Sequence, residues 1–433
     1  MPTKKINVIT LGCAKNQVDS ELLLSQLEGN DLELTSDISQ ASVAVINTCG
    51  FIEEAKKQSV ETILETIRLK NEGKLEKVIV MGCLSERFHT DLAKDIPEVD
   101  RFFGTNDLPA IVNELGGNYK KMLLGERSLQ SPSYSAYLKI SEGCDHPCSF
   151  CAIPLMRGNH RSRPVEQVMD EVVRLGAKGV KELVVIGQDT TFYGMDLYGE
   201  RALPSLLRSL TSVSGFEWIR LMYAYPSKFP LGLLEVFEEH RNLCRYLDIP
   251  VQHASDNVLK SMRRGITRRA TEELISSIRR AVPDIALRTT LIVGYPNETE
   301  EDFRELLDFV KGARFDRLGL FTYSQEEGTT AFPLGDPIPQ DEKEARRAAI
   351  MDLQQGISLE QNESRIGKTT RAVVEREEDG NYVGRTEWDA PEIDNEIFIA
   401  PPAGRQLSIG EFVTVRISDA AEFDLYGDVL AES

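Results

Sequence analysis

The sequence predicts an α/β protein in three parts: an N-terminal open parallel-sheet domain, a partial (β/α)6 TIM-like barrel, and a small C-terminal all-β barrel. Three observations predict it. Short apolar, β-branched runs alternate with helical patterns through most of the chain, the mark of βαβ units and a parallel sheet. Six such strand–helix units follow one another in about 190 residues from Ala136, short of the eight in a closed TIM barrel. The last 67 residues change to short alternating strands with turn residues between them.

Size and composition bound the rest. A chain of 433 residues has room for two to four domains, and 41% hydrophobic content suffices for ordinary cores. No run of 18 apolar residues occurs, so no transmembrane span is expected. The start, Met-Pro-Thr-Lys-Lys-Ile-Asn-Val-Ile-Thr, lacks the apolar stretch and small-residue cleavage site of a signal peptide. Thiolates suited to metal and no export signal point to a reducing cytoplasm. A net charge of −19 gives no general attraction for nucleic acid and makes a basic protein the natural partner.

In the first part, residues 5–11, 43–48 and 77–81 read as buried strands, each running into a cysteine: Cys13, Cys49 and Cys83. Helical patterns cover Asp19–Glu28 and Ile52–Asn71 between them, then Glu86–Asp95, a strand at Arg101–Gly104 and a helix at Leu108–Leu115. The three cysteines therefore fall just beyond strand carboxyl ends, where open α/β sheets bind ligands. A glycine adjoins each one (Gly12, Gly50, Gly82), as turns that approach a metal tend to require. The competing reading is three buried small residues, since Cys is often buried. Ser128–Ser135 reads as linker.

The barrel pattern runs through strands at Ala136–Ser141, Glu182–Gly187, Trp218–Tyr223, Tyr246–Val251, Ala286–Val293 and Leu318–Tyr323. Helices are expected at Pro164–Leu175, Leu203–Leu210, Gly232–Glu239, Asp256–Met262, Thr271–Ala281 and Glu300–Gly312. Chemistry in such barrels gathers at the C-terminal ends of the strands. By position, Gln188, Asp189, Arg288 and Gly294 are candidates for cofactor contact, as are Gln252 and His253 for cofactor or substrate. Each has a structural alternative: Gln252 and His253 satisfying backbone groups, Arg288 joining an ion pair. Cys244 reads as a buried strand residue, and Arg263-Arg264…Arg268-Arg269 as a solvated helix face rather than a phosphate site. After a Pro/Gly linker, Asp341–Arg365 is a long charged helix; Gly367–Glu375, Tyr382–Thr386, Ile397–Ile399 and Phe412–Ile417 are the strands of the last part.

The first barrel loop carries Cys144, Cys148 and Cys151 as C-x3-C-x2-C. Soft thiolates select zinc, copper(I) or iron–sulfur, and three ligands are one short of closing a tetrahedral structural site. A 4Fe-4S cluster held by three thiolates keeps one iron open. A zinc site completed by His146 or His160 is the alternative; a disulfide framework does not fit seven cysteines in 433 residues.

With Phe150 directly before the third cysteine, the array resembles the cluster motif of the radical S-adenosylmethionine enzymes. That resemblance implies an open iron that chelates S-adenosylmethionine and cleaves it reductively to a 5′-deoxyadenosyl radical. Over its whole length the chain resembles the methylthiotransferases of that superfamily. Leu-Gly-Cys-Ala-Lys-Asn (11–16), Asn-Thr-Cys-Gly-Phe-Ile (47–52), Ser-Glu-Gly-Cys-Asp-His-Pro-Cys-Ser-Phe-Cys (141–151) and Arg-Thr-Glu-Trp-Asp-Ala-Pro-Glu-Ile-Asp (385–394) carry the likeness. Gln17 departs from it, standing where an apolar residue is expected. The resemblance implies a three-cysteine domain (1–127), a radical core (136–365) and a TRAM barrel (366–433). It also implies two 4Fe-4S clusters, on Cys13/Cys49/Cys83 and on Cys144/Cys148/Cys151, S-adenosylmethionine, and an electron donor such as a flavodoxin-type protein. The likeness is greatest to the branch that methylthiolates the β-carbon of a specific aspartate in small-subunit ribosomal protein twelve. Nucleic acid would then be met only on the ribosome. The alternative is a tRNA enzyme acting on a modified adenosine beside the anticodon. Residues 367–433 hold six basic and fifteen acidic residues, a balance of −9, which suits a basic protein better than RNA. A redox-sensing metal protein is a third reading, but it needs no barrel around the cysteine loop.

Overall fold

In the computed structural model, which describes residues 5–130, 132–402 and 404–430, β1 (Lys5–Thr10), β2 (Glu33–Leu34), β3 (Val43–Thr48), β4 (Lys77–Gly82) and β5 (Arg101–Phe102) form one parallel sheet. Its order is β2-β1-β3-β4-β5. Residues 1–4 and 431–433, at the outer ends of the first and third expected parts, and Ser131, in the expected linker, lie outside the described residues. Every residue of β3 is buried, because helices cover both faces of the sheet. Ala44 and Ile46 pack with Ile63 and Ile67 of α2 (Glu53–Asn71) on one face. Val43 and Val45 pack with Leu23 and Leu27 of α1 (Ala14–Glu28) on the other. α1 begins five residues before the apolar pattern does. Its first turns bury polar residues, Lys15 and Asn16, so they show no apolar stripe. Likewise α3 (Cys83–Asp95) starts at the cysteine itself.

The second sheet is the six-stranded parallel one that the pattern predicts. β6 (Ser135–Lys139), β9 (Glu182–Ile186), β10 (Trp218–Leu221), β11 (Leu243–Asp248), β12 (Ala286–Val293) and β13 (Arg317–Thr322) follow the order β13-β12-β11-β10-β9-β6. The two-residue strands β7 (Ser141–Glu142) and β8 (Arg161–Ser162) pair antiparallel and pinch the base of the cysteine loop. Leu183, Val185, Ile219, Leu247 and Leu287 face the helices outside. Val184, Ile186, Trp218, Tyr246 and Ala286 face the interior. β11 ends at Asp248 rather than at Val251, because Pro250 cannot donate to a ladder. The chain rejoins β12 only at Gln252, which has φ +74° and bridges Leu291.

A 24-residue helix, Gln340–Glu363, leads to the last part. There β14 (Thr369–Glu378), β15 (Asn381–Thr386), β16 (Ile397–Ala400), β17 (Phe412–Ala420) and β18 (Leu425–Val429) close a barrel. β18 is the strand the sequence reading lacks. Its Leu-Tyr-Gly-Asp-Val run is weak in β-formers, but it alternates buried and exposed residues and pairs with both β16 and β17.

The two barrels are joined inside the first one. The loop after β15 enters the core among residues near the N-terminal ends of its strands, opposite the cysteine loop. Arg385 meets Glu182 at 2.6 Å, and Glu182 also meets Arg220 at 3.1 Å. Arg317 meets Asp389 at 2.6 Å, and Tyr246 Oη donates to Asp394 at 2.7 Å. Burial pushes the Glu182 carboxyl up, but Arg385 and Arg220 hold it down at about 2, below the ordinary 4.5. It therefore contributes stability above pH 4.5 that is lost as pH falls toward 2. Glu182→Gln leaves Arg220 buried without a countercharge and Arg385 with Glu375 alone. Urea unfolding at neutral pH should show a loss of roughly 3–5 kcal/mol, shrinking as the pH is lowered toward the folded-state value. A variant as stable as the parent at neutral pH overturns this account of the junction.

Candidate active site: two cysteine trios and the charges between them

Cys13 is the N-cap of α1, Cys49 follows β3 and Cys83 opens α3, so three loops from one sheet edge bring them together. The close approach is visible at Gly12, where a Cβ would stand 2.7 Å from the Cys49 Cβ. The glycines beside these cysteines thus let the three loops pack on one another. Asn16 ties them: its Nδ2 donates to the carbonyls of Leu11 (2.7 Å) and Thr48 (3.0 Å). Cys49 and Cys83 are buried, Cys13 is exposed. Burial pushes the Cys83 thiol up to about 12; Arg157 pulls against it, and the Cys13 and Cys49 thiols add to the rise.

The second trio lies on the loop between β7 and the short helix Ile153–Arg157. Gly143, at φ +78°, has room for no Cβ: one would fall 2.1 Å from the Asn159 carbonyl oxygen. This turn lets the Cys144 N–H donate to the Gly158 carbonyl at 3.1 Å. Arg264 Nη1 donates to Cys148 Sγ at 3.2 Å, and Tyr225 Oη lies 3.7 Å from the same sulfur. The Ile153 N–H points at Cys151 Sγ, 3.5 Å away. Burial pushes the Cys144 and Cys151 thiols up to about 12, and the other cysteines of the loop raise them further. A metal that binds here must displace those protons.

Between the trios lies a buried cluster of charges. Arg157, 2% exposed, leaves the second loop and reaches the first trio. Its Nε donates to Cys83 Sγ (3.3 Å), Nη2 to Asn16 Oδ1 (2.5 Å), and Nη1 to Asp19 (2.6 Å) and Glu142 (3.2 Å). Lys139 adds contacts to Asp19 at 2.5 Å and to Glu142 at 2.7 Å. Burial pushes the Glu142 carboxyl up, yet Lys139 and Arg157 hold it down at about 2. Two cations and two carboxylates thus neutralise one another. Close by, Lys15 Nζ of α1 stands 3.1 Å above the ring of Tyr223, a residue at φ +60° just past β10.

The residues singled out by position fall in different places. Gln188 Nε2 donates to Glu142 at 2.6 Å, while its buried Oε1 has no protein partner. Asp189 accepts from His146 Nε2 (2.6 Å) and from the Thr191 N–H (2.8 Å). Gly294 gives its N–H to Glu298 at 2.8 Å, and its missing side chain makes room for the stem of Lys343. Arg288 meets Asp248 at 3.0 Å and Asp394 at 3.2 Å, joining the C-terminal barrel rather than the cysteine loop, the ion-pair role that was its alternative. His253 is buried beside Glu298, and Cys244 is buried on β11. His146 is stacked on Tyr225 at 3.7 Å and bonded to Asp189, and His160 meets Ser162 Oγ at 3.0 Å, so both imidazoles are engaged elsewhere than in a zinc site. Among the described residues no three His, Cys, Asp or Glu side chains converge on a single-ion geometry. Sequence reasoning missed Asn16, Lys139, Glu142, Arg157, Tyr225 and Arg264. For Arg157 one signal was present: a lone charge closing the otherwise apolar run Ala152–Met156.

A six-stranded (β/α)6 core with a three-cysteine loop, set between a three-cysteine parallel-sheet domain and a small barrel, defines the class. Residues 138–310 match the Radical SAM superfamily, residues 5–104 the Uncharacterized protein family UPF0004 and residues 366–430 the TRAM domain. Relatives of nearly the same length carry the name ribosomal protein uS12 methylthiotransferase RimO. The Cytophaga hutchinsonii protein is 53% identical over 428 residues, 98% of each chain. The Chloroherpeton thalassium protein is 53% identical over 434 residues, 99% of this chain and 100% of its own. That of Bacteroides thetaiotaomicron is 49% identical over 433 residues, 99% of each. The chain belongs to this RimO family of radical S-adenosylmethionine methylthiotransferases. Among solved structures, the radical S-adenosylmethionine methyltransferase TsrM from Kitasatospora setae superposes with a TM-score of 0.57 at 15% identity, over 77% of each chain. The cobalamin-dependent S-adenosylmethionine radical enzyme OxsB gives 0.51 at 14% identity, over 81% of this chain and 56% of that one. These two likenesses concern the fold alone. No helix among the described residues is long and apolar enough to cross a membrane.

Arg157→Ala in the metal-free chain should cost roughly 3–5 kcal/mol in denaturant unfolding, because Asp19 and Glu142 would share only Lys139. Arg157→Lys should recover part of that loss, since an ammonium keeps the charge but not the fork that serves three partners. An alanine variant of unchanged stability would show that the cluster does not hold the domains together.

Proposed function

We propose that the chain replaces a hydrogen on the β-carbon of one aspartate of ribosomal protein uS12 with a methylthio group. The observation that carries this reading is end-to-end identity of about one half to enzymes named for that substrate. Cys144, Cys148 and Cys151 would hold one 4Fe-4S cluster, and Cys13, Cys49 and Cys83 the other. The donor set fits. Each trio is of soft sulfur, and each has a guanidinium on a thiol, Arg264 on Cys148 and Arg157 on Cys83, which offsets thiolate charge. When bound, the clusters and S-adenosylmethionine would supply the one-electron chemistry that an unactivated C–H bond requires, a place to hold the sulfur, and its methyl cap.

The chain's own residues would bind, orient and exclude water. Gln188 and Asp189 follow β9 beside the cysteine loop, and the unpartnered Gln188 Oε1 offers an acceptor to a bound S-adenosylmethionine. Gly294 would shape the same rim by admitting Lys343. Arg288 would act indirectly, by fixing Asp248 and Asp394 in the barrel interior. The reductant would be a flavodoxin-type protein and the setting the cytoplasm. The acidic C-terminal barrel, at −9, supports a basic protein substrate over tRNA.

Anaerobic reconstitution with iron and sulfide should load close to eight irons per chain, as two four-iron clusters require. That should fall to about four in Cys144→Ala/Cys148→Ala/Cys151→Ala. Mass spectrometry of uS12 after turnover should show the gain of one methylthio group at an aspartate. Only about four irons in the parent chain would make Cys13, Cys49 and Cys83 structural and remove the sulfur site.

A further inference from the structure

A groove of about 1100 Å³ opens on the outer side of the core, next to the cysteine loop. Three cations line it: Lys228, Lys260 and Arg263, all exposed. None of the three forms an ion pair among the described residues. The acidic groups beside them are engaged: Asp256 accepts the Arg268 N–H at 2.7 Å, and Glu273 meets Arg269 at 2.8 Å. In a chain carrying −19, a concave site edged by three cations that form no ion pair among the described residues gives an acidic protein a local point of attraction. Its wall is also apolar, with Leu231 59% exposed and Pro147 at the rim.

The groove runs beside the second trio. Pro147 adjoins Cys148 in the chain. Arg263 and Gly265, both in the wall, flank Arg264, whose Nη1 touches Cys148 Sγ at 3.2 Å. Pro226, also in the wall, follows Tyr225, whose hydroxyl lies 3.7 Å from that sulfur and donates to the Arg264 carbonyl at 2.8 Å. The groove wall and the sulfur are one side chain apart. Lys228 and Arg263 both hold φ +55°, a left-handed conformation that non-glycine residues adopt at a cost and that tends to gather at functional sites. The run Arg263-Arg264…Arg268-Arg269 is thus neither a phosphate site nor one solvated face. Arg264 is buried on the sulfur, Arg268 and Arg269 pair with Glu272 and Glu273, and Arg263 faces the groove.

We infer that this groove is the docking face for an acidic one-electron carrier protein, which passes its electron to the centre on Cys144, Cys148 and Cys151 by way of Cys148. The inference rests on the function proposed above. One electron leaves the carrier's reduced group, which is oxidised by one electron, and the metal centre is reduced by one; no bond forms or breaks in the groove. Encounters of this kind are small and transient, steered by charge more than held by area. The uncommitted cations supply the steering and the apolar wall a dry contact beside the sulfur.

The test uses the iron-loaded full chain, Lys228→Glu/Lys260→Glu/Arg263→Glu, and an acidic flavodoxin-type protein as probe. Calorimetric titration with the oxidised probe should show affinity weakened by about tenfold or more, with most of its salt dependence gone. S-adenosylmethionine cleavage driven by the reduced probe should slow by a similar factor. Cleavage driven by dithionite, which needs no docking, should stay within about twofold. Unchanged probe affinity overturns the inference. So does an equal loss with both reductants, or weakened binding of a small-subunit ribosomal RNA fragment with probe binding intact. If dithionite yields no cleavage even in the parent chain, the proposed function fails, and the titration still decides whether the groove binds the carrier.

Discussion

Arg157 is the contact on which the arrangement of the two cysteine sites depends. It is encoded on the loop of one trio, and its guanidinium fork is used on the other, touching Cys83, Asn16 and Asp19 at once. A point charge could not serve three partners in one plane, and a neutral side chain would leave two half-buried carboxylates against a single lysine. Because Asn16 also ties the loops that bear Cys13 and Cys49, one side chain sets both the spacing and the relative orientation of the trios. In the function proposed above, both sites would act on one carbon atom, and a fixed spacing would serve that chemistry.

The same device appears at the other end of the core. Most (β/α) barrels fill their interior with layers of their own branched side chains. Here Arg220, Arg288 and Arg317 project inward and are met by Glu182, Asp248, Asp389 and Asp394, two of them brought by the C-terminal barrel. A six-stranded sheet does not close on itself, and neighbouring domains supply what the missing strands would have covered. α1 contributes Lys15 and Asp19 from one side, the loop after β15 contributes Glu387 to Asp394 from the other.

Much of this was legible in the sequence. Strands β3, β9 and β12 were read within a residue of their bounds; β3 and β9 are buried on both faces and rich in Val and Ile, and β12 is bounded by Gly294. The cysteine trios were legible because soft ligands at fixed spacing have few uses. The first turns of α1 were not, since Lys15, Asn16 and Asp19 look solvent-facing until another domain covers them. The end of β11 was misplaced because Val251 continues the apolar run past a proline that ends the ladder. Arg288 showed the limit of position alone: a strand residue can face the interior and still be committed to a neighbouring domain. Nothing in a local pattern reports a partner 106 residues away.

The loop from Arg385 to Asp394 is at once the end of one domain and the inner lining of another. A lineage could not exchange its C-terminal barrel for that of a distant relative as one would swap a tethered module. The incoming loop would have to bring carboxylates to the guanidinium groups fixed on β12 and β13, and a backbone carbonyl to the one on β10. Those positions are therefore physically coupled: a change at Asp389 leaves the charge of Arg317 buried without its carboxylate. The outer side of β16 and β18, where Phe398 and Tyr426 stack at 5.3 Å, carries no such link to the core among the described residues.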